Sequence, residues 1–408
     1  MPAPVQGPVA SRLPTGGAHA SGLPWLNGVF GHDVDRTKRF EEKLGRPVDI
    51  VGVFPERSGG WGSIFDTWWM SKTPRDGVIL DVGVPLFPSD SSLENAAAGG
   101  DNAQWQKLGA LIQSKYPGSA VRIGWEMNIG GWPWRATEEN AEQWKKAFRN
   151  ASTSLKKGGP TLLVQWNPNA GKGDSLADAT KVYPGDDVVD IVALDSYDWW
   201  PGYNETTWPQ HRDGEGGWAF WVKFARDHGK RFSVPEWGLA PANENSGGDN
   251  PFYMNVVSDF LWENRDIVFS VVYFDETQDY IKSSIADGMV PKGAAAYKAK
   301  LDAFAAQTPQ GAAAGGLTAT RSPGPAGQPS ATASPAPTSS SSGSSPSTAQ
   351  STTSSSSPAN APENSSENST EGSSDSAKPT SSRTAASNPQ WQGSTNDSNE
   401  RGPVPGGG

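Results

Sequence analysis

Eight short apolar runs recur along this chain, and each ends in polar or small residues. They are Gly28–His32, Val48–Phe54, Val78–Val84, Ala120–Glu126, Thr161–Asn167, Val188–Tyr197, Phe232–Glu236 and Ile267–Phe274. They read as near-continuous apolar and β-branched stretches, the pattern of strands buried on both faces in a parallel sheet. Helical patterns separate many of them. Asp101–Tyr116 spaces Trp105, Leu108, Leu111 and Ile112 on one face behind an N-cap-type Asp. Thr137–Leu155 repeats Trp144, Phe148 and Leu155 after a Thr137/Asn140 pair that forms an imperfect capping box. Gly217–His228 and Phe252–Asn264 follow the same logic, whereas Asp35–Leu44 is short and Ser58–Met70 is Trp-rich and irregular. Strand signals alternating with helices predict a single closed (β/α)8 barrel. The competing arrangement is an open, doubly wound sheet, but no Gly-rich phosphate turn follows the first run.

The 408 residues divide by composition. Residues 25–305 are rich in Val, Ile, Leu, Phe and Trp and are expected to form the barrel, a size that suits this fold. Residues 306–408 are mostly Ser, Thr, Pro, Gly, Ala, Asn and Gln. Such a segment buries too little apolar surface to offset its ordering entropy, so a disordered tail is expected. Residues 1–24 are expected to be a flexible N-terminal segment.

The formal net charge is -10 and no basic stripe stands out, which argues against a nucleic-acid partner. No Cys is present, so disulfide and thiol chemistry are excluded. No apolar run has the length of a membrane helix, and the first twenty residues have neither a basic nor an apolar signal-peptide region. A long Ser/Thr/Pro segment is a common cell-surface spacer, so an extracellular or cell-surface location is expected. The four His residues, His19, His32, His211 and His228, show no metal-ligand spacing, and Asp33–Asp35 is too short for a calcium loop. No metal or cofactor is expected. Asp249 and Asn250 read as turn residues, and the sequons at Asn364 and Asn368 matter only where a compartment glycosylates.

In a barrel of this kind reactive groups sit at the C-terminal ends of the strands. Strand four ends at Glu126, strand five at Trp166, Asn167 and Asn169, and strand six at Asp195 and Tyr197. Strand seven ends at Glu236, and strand eight at Tyr273, Asp275 and Glu276. Strand alternation puts Arg122, Gly124 and Glu126 on one face of strand four, and an inward Arg122 requires a buried anion, for which Asp81 or Asp195 could serve. Two carboxyl groups flanking one bond are what glycoside hydrolysis needs. In the retaining route they lie about 5–5.5 Å apart, one as nucleophile and the other as general acid and then base. Glu236 and Glu126 are placed for these roles, and Tyr197 could donate a hydrogen bond to Glu236. Of 18 Trp residues, 17 precede the tail. An indole face stacks on the apolar face of a sugar ring, although ordinary core packing accounts for many of them. Trp132, Trp134, Trp166, Trp199 and Trp200 are the candidate platforms, with Trp125 and Trp237 expected to limit water beside the carboxyls. Trp125, Trp237, Asn128, Asn167, Asp195, Tyr197 and His32 are further candidate substrate contacts.

Glu at the ends of strands four and seven resembles the clan A retaining glycoside hydrolases. The segment RIGWEMNIGGWPW at 122–134 is similar to glycoside hydrolase family 26, which includes β-mannanases. The resemblance rests on Arg122, Glu126, Met127, Asn128, Trp132 and Trp134, on Asp195-Ser196-Tyr197, and on Glu236 followed by an aromatic residue and Gly238. It implies an endo-acting β-glycanase, without cofactor, that acts on a polysaccharide as a monomer. The sequence departs from that family at Trp125, where His is usual, and in the Tyr273-Phe274 region, where a Trp is usual. The sugar is therefore left open. So are two other readings, a carbohydrate-binding or surface module on a degenerate barrel and a transglycosylase using the same residues.

Overall fold

A computed structural model of the chain describes residues 19–309. Most of the expected tail, with Asn364 and Asn368, and most of the N-terminal segment lie outside the described residues. Eight parallel strands close into a barrel in the order β1 to β8, so the (β/α)8 expectation is met. The strands are β1 (Leu26–Phe30), β2 (Ile50–Val53), β3 (Ile79–Val84), β4 (Ala120–Ile123), β5 (Leu163–Trp166), β6 (Ile191–Tyr197), β7 (Arg231–Gly238) and β8 (Val268–Tyr273). Each of the eight apolar runs overlaps one of them; β1 begins two residues before its run and β7 extends past its run at both ends.

The helical layer comprises α1 (Val34–Leu44), α2 (Gly60–Ile64), α3 (Leu93–Ala98), α4 (Asn102–Lys115), α5 (Ala141–Gly158), α6 (Trp208–Asp213), α7 (Trp218–Asp227), α8 (Pro251–Glu263) and α9 (Pro291–Gln307). The irregular stretch after β2 becomes the short α2 and a 3₁₀ turn at Thr67–Ser71. Asp101 stands at the N-cap position of α4, but its side chain makes no capping bond. Its carboxylate instead accepts from Trp61 Nε1 (3.0 Å) and Ser91 Oγ (2.6 Å), tying the β2 and β3 crossovers together. Thr137 and Asn140 do bond reciprocally, at 2.8 and 3.3 Å, but as a turn before α5. Asn250 caps α8 through Phe252 N, as its turn chemistry predicts. The N-terminal segment is tied down where it is described: Leu23 is fully buried and Ser21 N donates to Asp49 Oδ1.

Helices α4 and α5 pack with almost no clearance. A Cβ on Gly109 would lie 2.1 Å from the Leu155 carbonyl oxygen of α5. A methyl group there cannot be absorbed by a rotamer change, because the obstacle is backbone. Gly109→Ala is therefore expected to cost about 1–3 kcal/mol of stability, the usual penalty of overpacking. Denaturant unfolding checks this, and a parent-like midpoint would contradict the packing described.

Candidate active site

A polar layer fills the barrel where aliphatic side chains usually interdigitate. Its centre is Arg122 of β4, fully buried. Arg122 Nε donates to Asp81 Oδ1 of β3 (2.9 Å), and Gln165 Nε2 of β5 donates to Asp81 Oδ2 (2.7 Å). Arg122 Nη1 donates to Glu236 Oε1 of β7 and lies 3.6 Å from Asp195 Oδ2 of β6. Both anions proposed from sequence thus surround the guanidinium, together with Glu236. Gly83 makes room for this arrangement, since a Cβ there would strike the Phe54 ring at 2.3 Å. Arg122 also stacks on Phe54, 4.9 Å from the ring centroid.

Glu236 is held at both oxygens. Oε1 accepts from Arg122, and Oε2 accepts from the Tyr197 hydroxyl at 2.9 Å. A group that accepts on both sides behaves as a carboxylate. Asp195 and Glu236 are direct neighbours across the β6–β7 pairing.

Glu126 does not continue the alternation of β4, which ends at Ile123. Gly124 and Glu126 both adopt left-handed backbone conformations, with φ of 57° and 49°. For a glutamate this conformation costs roughly 1–2 kcal/mol and persists only when its surroundings impose it. Glu126 N donates to the Asn167 carbonyl (2.7 Å), which fixes the turn against β5. The side chain is 8 % exposed, accepting from Asn169 Nδ2 (2.6 Å) at Oε1 and from Trp132 Nε1 (3.1 Å) at Oε2. Burial and the charge of Glu236 push the Glu126 carboxyl up to about 7, against the two hydrogen bonds and Arg122, which act the other way.

One guanidinium faces Asp81, Asp195, Glu236 and, at longer range, Glu126, so all four carboxyls cannot be ionised together. Burial and the neighbouring Glu236 charge raise the Asp195 carboxyl well above its ordinary range. The same two causes raise the Tyr197 phenol, which remains a donor.

Several expected sugar contacts serve other purposes. Trp166 is fully buried and packs on Trp221 and Phe224 of α7, on the outer side of the barrel. Trp237 packs on Tyr253 of α8 and Tyr297 of α9. Side chains alternate along a strand, so Gln165 and Glu236 point inward and Trp166 and Trp237 outward. Neither indole reaches the carboxyls, and Trp237 cannot screen them from water. Trp134 is a tie: its Nε1 donates to the Trp125 carbonyl (2.8 Å) and its own carbonyl accepts from Trp144 of α5 (2.9 Å). Trp125 is 2 % exposed and packs among Phe54, Trp132 and Trp134. Asn128, 1 % exposed, exchanges two hydrogen bonds with the backbone of Asn169 (3.0 and 2.9 Å), so it positions the Asn169 amide. Asn167 accepts from Arg122 Nη1 at 3.4 Å.

The partly exposed aromatic groups that remain are Trp199 and Trp200, after β6, with Trp199 5.0 Å from Tyr197. His32 stands at the rim with Nε2 2.8 Å from Glu276 Oε2 and its ring edge-on to Phe30. Burial would raise Glu276, but His32 and the Thr277 and Gln278 N–H groups outweigh it and hold the carboxyl low. Sequence reading overlooked Asn169 as a partner of Glu126, and Glu276 as the holder of His32. It also overlooked the wall formed by Phe30, Phe54 and Phe274, with centroids 5.3 and 4.8 Å from Phe30. For Asn169 a signal existed, since Asn-Pro-Asn at a strand end is a polar turn at the barrel mouth.

The family model Glycosyl hydrolase family 26 matches residues 120–209. That stretch carries Arg122, Glu126, Asn169, Asp195 and Tyr197, with Glu236 outside it. Solved structures similar to this chain include the catalytic domain of the Bacillus sp. JAMB-750 GH26 endo-β-1,4-mannanase. It is 17 % identical with a TM-score of 0.49, over 69 % of this chain and 88 % of that one. A modular endo-β-1,4-mannanase of Cellulomonas fimi is 14 % identical with a TM-score of 0.48, over 73 % and 75 %. The endo-β-1,4-mannanase of Thermotoga petrophila is 11 % identical with a TM-score of 0.48, over 70 % and 77 %. Across residues 120–209 the chain is similar to glycoside hydrolase family 26.

Proposed function

We propose that residues 25–305 are a retaining endo-β-glycanase domain that cleaves a β-mannan or related β-glycan outside the cell. It acts as a monomer, with Glu236 as nucleophile and Glu126 as general acid and base. One observation carries the reading: two carboxyl groups meet in one buried cluster with opposite surroundings. Glu236 accepts from Arg122 and Tyr197, while burial and the Glu236 charge push Glu126 up to about 7. Paired carboxyls in such unlike surroundings, one raised by burial and the other held by two donors, suit an acid and a nucleophile.

The steps follow from the donors. Glu236 Oε attacks the anomeric carbon as the glycosidic bond breaks, and Glu126 gives its proton to the departing oxygen. A glycosyl ester on Glu236 results. Glu126, now ionised and held by Asn169 and Trp132, takes a proton from water, whose oxygen displaces Glu236. Trp199 and Trp200 offer the sugar platforms, and His32 a polar contact at the rim.

The reading is tested on a panel of β-mannan, xylan and β-glucan by following new reducing ends. The parent is expected to release them from at least one polymer and Glu126→Gln from none at a comparable rate. Equal release by the two proteins would contradict it.

A pH profile follows. Glu126 must be protonated in the first step, so kcat/KM is expected to fall above about pH 7. Asn169→Ala removes a donor to the ionised form, which raises the Glu126 pKa further. Its alkaline limb is expected at higher pH, with kcat lowered about tenfold through lost positioning. A limb that stays in place would contradict the assignment of Asn169.

A further inference from the structure

We propose that Arg57 is a positioning residue for Glu126, acting through the indole of Trp132. The inference rests on the acid/base reading of Glu126 and adds to it how this chain tunes that group. Arg57 follows β2, on the crossover that leads to α2, and it is distant in sequence from every residue that bonds the two glutamates. Its guanidinium carbon lies 5.6 Å from the Trp132 ring centroid and 6.0 Å from that of Trp125. The two indoles are themselves 5.1 Å apart and crossed at 61°. Trp132 also stacks on Trp134 at 4.8 Å, nearly parallel. The ring of Trp132 thus contacts both a cation and a second indole, and its Nε1–H donates to Glu126 Oε2, 3.1 Å away.

Two physical effects follow, of the same sign. A cation over an indole face is attracted to the ring quadrupole and fixes the ring plane. Fixing the plane fixes the N–H direction, and so the Glu126 rotamer that accepts from it. The cation also draws π density toward itself, which makes Nε1–H a stronger donor, because hydrogen-bonded groups in a low-dielectric site polarise one another. A stronger donor favours the ionised form of Glu126, the form required to deprotonate water in the second step. The position before Glu126 is occupied here by Trp125, and the arrangement gives that residue a role. Trp125 is the second face against which the guanidinium rests.

The charged and titratable groups around Glu126 are known from each neighbouring element. Glu236 of β7 and Asp195 and Tyr197 of β6 couple to it, as does Arg122 of β4. Next to Arg57 itself lies Glu56, whose Oε1 accepts from the backbone N–H groups of Arg57 and Ser58 at 2.7 Å. Burial acts to raise the Glu56 carboxyl, but those N–H groups, the Ser58 hydroxyl and Arg57 bring it below its usual range. A neutral residue at 57 also removes the Arg57 charge from Glu56, so the Trp132→Phe background is what isolates the path through the indole.

The test is a titration of the full chain labelled with ¹³C at the Glu side-chain carboxyl, the Glu126 signal being assigned by its loss in Glu126→Gln. No substrate is needed. Arg57→Met is expected to raise the Glu126 midpoint by about half a pH unit, the size of one cation–π interaction. Arg57→Gln should give the same displacement, and Arg57→Lys, which keeps a cation, should stay near the parent. In a Trp132→Phe background the displacement should vanish, since the N–H that carries it is gone. An unchanged midpoint in both neutral variants, or a displacement that persists without Trp132, would overturn the inference. The two readings separate cleanly: the acid role is judged by where Glu126 titrates in the parent, the Arg57 role by the difference alone.

Discussion

Glu236→Ala is expected to lower kcat by about 10⁴-fold or more on any glycan the parent cleaves, the scale on which removal of a covalent nucleophile is felt. The expectation is large because nothing else in the cluster can replace it. Asp195, its neighbour on β6, is fully buried, and its carboxyl is raised well above the ordinary range. Asp81 is committed to Arg122 and Gln165. The variant should fold, because removing an anion from a site with one guanidinium and several carboxyls relieves repulsion. Added azide can enter the space left by the carboxylate and attack the anomeric carbon from the same face. Glu236→Ala is then expected to recover activity with azide and to give a glycosyl azide of inverted configuration. In Glu126→Ala azide would act after the glycosyl–enzyme has formed, giving the retained configuration. Activity of Glu236→Ala within tenfold of the parent would remove Glu236 from the reaction.

Arg122→Met carries the largest expected effect on stability, about 3–5 kcal/mol, the cost of leaving buried charges without their partner. Arg122 and Asp81 are both fully buried, and Arg122 also serves Glu236 and lies against Asp195. Without the guanidinium the Asp81 and Asp195 carboxyls, already raised by burial, rise further above their unfolded values. The folded state then holds more protons than the unfolded one across the window between those values. Stability of the variant should therefore fall as pH rises through that window, and its deficit against the parent should shrink as pH falls toward the unfolded-state values, because the raised folded-state carboxyls are then protonated and carry no unpaired charge. Denaturant midpoints of parent and variant at pH 5 and pH 8 check both size and slope. A deficit under about 1 kcal/mol at pH 8 would mean that Arg122 does not bind the cluster together.

The strands were legible from sequence because burial on both faces removes polar residues from a parallel strand, leaving runs that are hard to read as anything else. Glu126, Glu236, Tyr197 and the partners of Arg122 were legible for a related reason: charge inside such runs has few places to go. The alternation rule failed at Glu126, where two left-handed residues redirect the chain after Ile123. It would have succeeded at Trp166 and Trp237, one residue out of phase with the inward Gln165 and Glu236. At both positions parity places the indole outward, against α7 and α9. What remained hidden was set by loops. Asn128 shapes the loop that presents Asn169, and Glu276 reaches His32 from the far end of the chain. Arg57 comes to Trp132 from a crossover whose irregular composition gave no element to place it on.

The most direct measurement is the anomeric configuration of the product at the moment it forms, read by ¹H NMR on a β-linked oligosaccharide that the enzyme cleaves. Double displacement through Glu236 predicts that the β-anomer appears first and the α-anomer only later, by mutarotation. The α-anomer appearing first would mean single displacement by water, and would contradict the assignment of Glu236 as nucleophile.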